Sequence, residues 1–167
     1  PMARARTMMQ RLRIMSPALP AAAADPPPAV RAAFVVRDNL RQRRAIERSY
    51  VEALRGARER IDLISPYFYP GNAFRRTLCD AAKRGVRVRL LLQGKLDYRF
   101  AGLAASVFYD ELLTRGVHIF EYTPAFLHAK VALADDTWAT LGSSNIDPLS
   151  LLLNLEANVV VRDAKFT

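Results

Sequence analysis

A layout that occurs twice along this chain leaves few folds open to it. From Asn72 a helical pattern runs to Gly85, and the strand-like VRVRLLL follows; from about Gly102 a second helical pattern runs to Gly116, and VHIFEY follows. A helix closed by glycine at the first position past its end, then a β-branched strand, is the αβ half of a βαβ unit. Two such halves in sequence call for an α/β fold.

The other segments complete a mixed sheet flanked by helices. AAFVV reads as a short strand, and Asp38 is placed to cap a helix running from Asn39 to about Arg58. Ile46, Tyr50, Leu54 and Ala57 give that helix an apolar stripe at helical spacing. Its arginines (Arg41, Arg43, Arg44, Arg48) read as a solvated face. RIDLIS, residues 60–65, alternates as a strand and ends in the aromatic turn PYFYPG. Residues 128–134, 137–141 and 155–161 read as three further strands, the first two joined by a tight turn at Asp135 and Asp136.

A chain of 167 residues suffices for one domain with a sizeable core. Its charge departs from the ordinary: 25 Lys and Arg against 16 Asp and Glu give +9. That favours an anionic partner, whether nucleic acid, an acidic membrane surface or a phosphorylated substrate. The single cysteine, Cys79, rules out an internal disulfide and reads as a buried small hydrophobe. No apolar run approaches the ~20 residues that span a bilayer. Residues 1–15 are basic, Met-rich and free of acids, a solvated tail or a membrane-surface segment. With the Pro/Ala-rich linker that follows, they make residues 1–30 a tether and residues 31–167 the globular part. A start at proline and a stop just after a strand suggest an excerpt of a longer protein, truncated at its C-terminal end.

Candidate chemistry lies in LHAKVALADDTWATLGSSN, residues 127–145, which holds one of the two histidines. On a strand, His128 and Lys130 share a face about 6.6 Å apart, with Ala129, Val131 and Leu133 turned into the core. An imidazole beside an ammonium suits a phosphate ester: one attacks phosphorus or passes a proton, the other compensates charge on the non-bridging oxygens. Ser143 and Asn145 share a face and add neutral donors for phosphate oxygens. Glu156 and Asn158 share a face of the last strand, and a carboxylate near His128 would fix its tautomer and stabilise the imidazolium. His118 has Phe120 where a lysine would stand, and reads as structural. No cluster with metal-ligand spacing surrounds the motif, so no cofactor and no metal are expected.

The six residues of H-x-K-x4-D-x6-G-S-x-N match by chance on the order of 10⁻⁸ per starting position. This pattern is the signature of the phospholipase D superfamily, and the chain resembles that superfamily at every specified position, as one half carrying one H-x-K-x4-D motif. SSNIDPLSLLLNLEANVVV, RDNLRQRRAIERSYVEAL, YFYPG, RGVRVRLLLQGKLDY and GVHIFEYTPAFLHAK are similar, more narrowly, to the C-terminal half of bacterial cardiolipin synthases. The resemblance places His128, Lys130, Ser143, Asn145 and Glu156 among active-site residues, and gives Asp135 the task of supporting the motif's structure. It implies a metal-free phosphatidyltransferase that makes cardiolipin through a phosphatidyl-histidine. An anionic phospholipid such as phosphatidylglycerol would be the substrate, on the cytoplasmic face of the bacterial membrane. The aromatics of PYFYPG and the stretch QGKLDYRFAG would rim the cleft or pack in the core. Active sites of this kind use two motifs across a twofold or pseudo-twofold axis, so a second half is expected in the same chain or in a partner copy. Nucleic acid is not the partner this implies; the alternative is a homodimeric phosphodiesterase or nuclease, since single-motif members dimerise to cut it. An inactive scaffold or membrane-binding half is a third possibility, against which the complete motif argues.

Overall fold

The computed structural model of the chain describes residues 30–94 and 108–167. The basic segment, nearly all of the linker, the start of the helix expected from Gly102 and most of QGKLDYRFAG lie outside the described residues.

Seven strands form one sheet, β1 (Ala32–Arg37), β2 (Arg60–Ser65), β3 (Arg87–Gln93), β4 (His118–Tyr122), β5 (Val131–Ala134), β6 (Trp138–Gly142) and β7 (Glu156–Val161). Their spatial order is β1-β7-β6-β5-β2-β3-β4. β2, β3 and β4 run parallel, and all other neighbouring pairs are antiparallel. The sheet is therefore mixed, as expected. Its parallel part comes from the repeated layout. α2 (Asn72–Lys83) leads to β3 and α3 (108–114) leads to β4. Both helices close alike: Val86 N–H donates to Ala81 at 3.1 Å, and Val117 N–H donates to Leu112 at 3.0 Å. Gly85 and Gly116 take the left-handed turn at φ 91° and 84°.

The core lies on one face of the sheet, under α1 (Ala45–Gly56) and α2. Ile46, Tyr50 and Leu54 of α1 are buried, and Ala57 just beyond its end is buried too. The Tyr50 ring meets Phe74 of α2 and, edge-on, Trp138 of β6 with centroids 5.8 Å apart. Cys79 is buried in α2, and burial pushes its thiol up. The opposite face carries an apolar row through paired positions of all seven strands, with Phe34, Leu141 and Phe120 exposed.

Four expectations need correction. The first helix starts at Ala45, not Asn39. The Asp38 carboxylate accepts from Gln42 N–H at 2.7 Å and Leu40 N–H at 2.9 Å, so it organises the turn before the helix rather than capping it. Strand β5 begins at Val131, and residues 126–130 precede it outside the ladder. Its inner face is also reversed: Lys130, Ala132 and Ala134 are buried, whereas Ala129 is exposed and Val131 and Leu133 are half-buried. Ala134 pairs with Trp138, whose indole with Tyr50 fills the space above the alanines, so small residues mark the inner face here. A further helix, α4 (Pro148–Leu152), went unread in the sequence although Asp147 caps it through Ser150 N–H at 2.9 Å, with proline at the helix start.

Candidate active site

One end of the sheet collects the polar residues. The carboxyl ends of β2 and β3, the start of β5, the end of β6, the start of β7 and the end of β1 all lie there, because β5, β6, β7 and β1 alternate in direction after the parallel pair. The crevice outside the carboxyl ends of parallel strands is where open α/β sheets bind ligands.

His128 stands at this end, exposed, in the stretch that leads into β5. Lys130 is only 7% exposed and folds back on it, with Nζ 3.0 Å from His128 Nε2 and 3.2 Å from the His128 carbonyl. An ammonium has no lone pair, so a charged Lys130 donates in this contact only to an Nε2 that carries no proton. Burial draws the Lys130 ammonium below its ordinary pKa, and the charge of Glu156 opposes the shift. The stretch is pinned from β3, where Gln93 Oε1 accepts from Leu127 N–H at 2.9 Å.

Glu156 opens β7, is 9% exposed, and accepts a short hydrogen bond from the Ser143 hydroxyl. Ser143 Oγ in turn accepts from Ala157 N–H at 3.1 Å. Ser144, next along, is buried, so Ser143 and Asn145 stand on the other side. Among the described residues, the buried Oδ1 of Asn145 has no hydrogen-bond partner. It is a free acceptor on a residue whose amide also offers donors.

Sequence reasoning missed what lies beneath. Asn158 Nδ2 donates to Thr140 Oγ1 at 3.2 Å, and its Oδ1 accepts from Ser144 N–H at 3.4 Å. Burial holds the Tyr50 phenol above its usual range, and the Asn158 side chain opposes that shift. On the other side, Ser65 Oγ accepts from Ile146 N–H at 3.4 Å and donates to the Tyr67 carbonyl at 2.7 Å. Tyr69 N–H reaches the Ile146 carbonyl at 2.7 Å, so the aromatic turn is stitched to the Gly-Ser-Ser-Asn loop. Of its three rings Phe68 is buried, while Tyr67 and Tyr69 are exposed.

Asp135 lies at the opposite end of β5, about 23 Å of extended chain from His128. It sits in left-handed conformation at φ 52°. Its carboxylate accepts from the N–H groups of Arg58, Glu59 and Arg60 at 3.0, 2.9 and 3.0 Å. Burial pushes its pKa up, but these backbone bonds and the charge of Arg60 together outweigh that and hold it below the ordinary value. The residue ties the β5–β6 turn to the start of β2. His118 opens the edge strand β4 and is exposed. Among the described residues no three of His, Cys, Asp and Glu are grouped to hold a metal, and no helix is long and apolar enough to cross a membrane.

The family described as cardiolipin synthase, PLD-like domain (PLD for phospholipase D), matches residues 50–167. Cardiolipin synthase B of Escherichia coli is 49% identical over 133 residues, which are 80% of this chain and 32% of that protein. The chain thus spans about a third of the length of the curated relatives it matches. Among solved structures, Nuc, a phospholipase D family member from Salmonella typhimurium, superposes with a TM-score of 0.68 at 18% identity, over 83% of this chain and 87% of that one. Phosphatidylserine synthase from Haemophilus influenzae gives 0.62 at 12% identity, over 96% of this chain and 41% of that one.

Proposed function

The chain belongs to the family of cardiolipin synthases with a phospholipase D-like domain, and from that premise we propose that it is one half of the active site of a phosphatidyltransferase that makes cardiolipin. The observation that carries the reading is the contact of Lys130 Nζ with His128 Nε2 at the sheet end, beside the Ser143–Glu156 pair.

The chemistry runs in two displacements. A neutral imidazole nitrogen of one half attacks phosphorus of a phospholipid diester. The P–O bond to the head-group alcohol breaks, and the imidazolium of the other half protonates the leaving oxygen. The product is a phosphatidyl-histidine. A hydroxyl of phosphatidylglycerol then attacks phosphorus, the P–N bond breaks, and the second imidazole takes the hydroxyl proton. His128 fills one of these two roles. Lys130 serves both the resting and the loaded site. With no substrate its ammonium lies on Nε2; an anionic phosphate oxygen is the stronger acceptor and draws it off, freeing the ring for reaction. Ser143 and Asn145 add hydrogen bonds to the phosphoryl oxygens, and Glu156 balances the charge gathered by Lys130 and the imidazolium. No metal enters this scheme.

The basic surface, +9 for the whole chain, would hold the protein on an anionic cytoplasmic leaflet. One histidine cannot be nucleophile and acid at one instant, so the second half comes from the same polypeptide or from another copy. The single H-x-K-x4-D motif in this sequence supports a second reading, a homodimer of this half that hydrolyses phosphodiesters.

The test is to assay the full-length protein for cardiolipin formation from phosphatidylglycerol, with the mass in solution known, and to map the phosphorylated histidine by mass spectrometry at alkaline pH. Cardiolipin formation from a protein holding a second H-x-K-x4-D motif supports the transferase. Hydrolysis alone, rising with the dimer population, moves the assignment to the homodimeric phosphodiesterase. Turnover by a demonstrated monomer of residues 31–167 refutes both.

A further inference from the structure

Arg37 is the last residue of β1, and it is wholly buried. Its side chain makes four hydrogen bonds. Nε donates to the Arg43 carbonyl at 3.3 Å and one terminal nitrogen to Asn39 Oδ1 at 2.9 Å. The terminal nitrogens also make short bonds to the carbonyls of Leu152 and Asn154. Among the described residues no carboxylate is in ion-pair contact with it. A buried guanidinium satisfied by oxygen dipoles alone is costly to keep, and the groups it grips are the ones it fixes.

Two of those groups lie just ahead of Glu156 in the chain. Leu152 ends α4 and Asn154 lies two residues before Glu156, so their carbonyls flank the passage from α4 into β7. The N–H groups of Leu153 and Asn154 turn back to Leu149, at 2.9 and 2.7 Å. The carbonyls at this helix end lack intrahelical donors, and the arginine fork supplies them. Arg37 is also the register partner of Glu156 across the β1–β7 ladder, on the same face. Glu156 holds the Ser143 hydroxyl and acts on the charge of Lys130.

We propose that Arg37 is a positioning residue: by clamping the carbonyls of Leu152 and Asn154 it sets where Glu156 enters the site, and through Glu156 it places Ser143 and the charge beside Lys130. This rests on the transferase reading of the same site. It assigns work to a residue that touches neither substrate nor the reacting atoms.

The experiment uses the full-length protein. Arg37→Lys, Arg37→Met and Asn39→Ala are made in the native background and in Glu156→Gln, and kcat and KM for phospholipid transfer are measured with melting temperatures. Amide hydrogen exchange is followed over residues 143–147 and 152–158. Lysine keeps the charge but offers one ammonium in place of the planar fork whose separate nitrogens reach Leu152 and Asn154, so Arg37→Lys should lower kcat about 10²-fold with KM little changed, the usual cost of a displaced catalytic group. In Glu156→Gln the same change should cost no more than about twofold, since both substitutions break one chain of contacts. Exchange should rise in both segments. Asn39→Ala removes one exposed acceptor and folds normally, so it gives a smaller loss of the same pattern even where Arg37→Met fails to fold. Equal losses in the two backgrounds, or unchanged exchange at 152–158 in Arg37→Lys, overturn the proposal. A native protein without transfer activity refutes the transferase reading instead, and the exchange data then decide the structural role of Arg37 separately.

Discussion

Gly142→Ala is the sharpest test of how the site is built, because the same methyl group is harmless elsewhere. Gly142 ends β6, opposite Asn158 of β7. A Cβ there would lie 2.3 Å from the Ala157 carbonyl oxygen, 2.3 Å from Asn158 Oδ1 and 2.6 Å from Asn158 Cα. Ordinary carbon contacts sit near ~3.5–4.0 Å, so β7 must retreat by about 1 Å. Two of those atoms are backbone and cannot swing aside. Overpacking of this kind costs about 1–3 kcal/mol. The displaced Asn158 amide would also lose its bonds to Ser144 N–H and Thr140 Oγ1, and a buried polar group left unpaired costs about 1–3 kcal/mol more. We expect a loss of about 3–4 kcal/mol, read as a lower urea midpoint at unchanged m-value and a melting temperature about 10 °C lower. Gly56, at the end of α1, is the control: among the described residues nothing lies within 4 Å of its Cβ position. Gly56→Ala should leave stability unchanged or raise it by about 0.4–1 kcal/mol. If Gly142→Ala fell within about 0.5 kcal/mol of the native protein, the close packing of β6 on β7 beneath the serine loop would be refuted.

In the complete protein, His128→Ala should lower turnover at least 10²-fold while the melting temperature holds, since the side chain is exposed; a folded variant keeping more than about a tenth of activity removes His128 from the chemistry. Lys130→Met should abolish turnover without lowering the melting temperature, because burial disfavours the native ammonium; thermal scans and product assays on one preparation check both halves of the claim. Asp135→Ala should destabilise by about 2 kcal/mol through loss of the acceptors for three backbone N–H groups. The folded carboxyl lies below its ordinary 3.8, so its stabilisation is present above that value and is lost as pH falls through the lower folded value; the gap between the denaturation curves of the two proteins should narrow as pH falls below 3.8, and a gap that does not change with pH contradicts this. Cys79→Ala should leave transfer activity unchanged, as would be seen in a simple rate comparison, because the thiol is buried in α2 away from the site.

Much of this was legible in the sequence, for local reasons. The glycines at 85 and 116 announce helix ends because only the left-handed turn they permit closes those helices. The stripe of Ile46, Tyr50, Leu54 and Ala57 is buried as its spacing implies. His128 and Lys130 meet, as their two-residue spacing suggested, although neither is in a strand ladder. What failed was decided at long range. Bulky Val131 and Leu133 looked like core and Ala132 and Ala134 did not, yet the inner face is chosen by Trp138 and Tyr50, which come from other elements. Asp38 failed for a local reason instead: it carries the composition of a helix cap, but its carboxylate closes the turn over residues 38–42, and the helix begins only at Ala45.

Arg37 is the limiting case of the same rule. In the sequence it is one arginine in a basic stretch, with nothing to set it apart from Arg41 or Arg43, which are exposed. Its difference lies in strand parity: β1 pairs with β7 so that Arg37 shares the inner face with Glu156, Asn158 and Val160. A chain reader sees residues 37, 65, 93, 130, 143 and 156 scattered over 120 positions. The alternation of strand direction brings all six to one end of one sheet. Of the side chains gathered there, Arg37, Ser65, Lys130 and Glu156 are buried and fixed by hydrogen bonds, whereas His128 is exposed at the rim. The pre-organised part of the site is thus its charged and hydrogen-bonding wall, and preorganised dipoles stabilise a phosphoryl transition state without the cost of reorganising at the moment of reaction. Under the transferase reading proposed above, the group that would exchange protons or bond to phosphorus is His128, and it stands open to whatever half would face it.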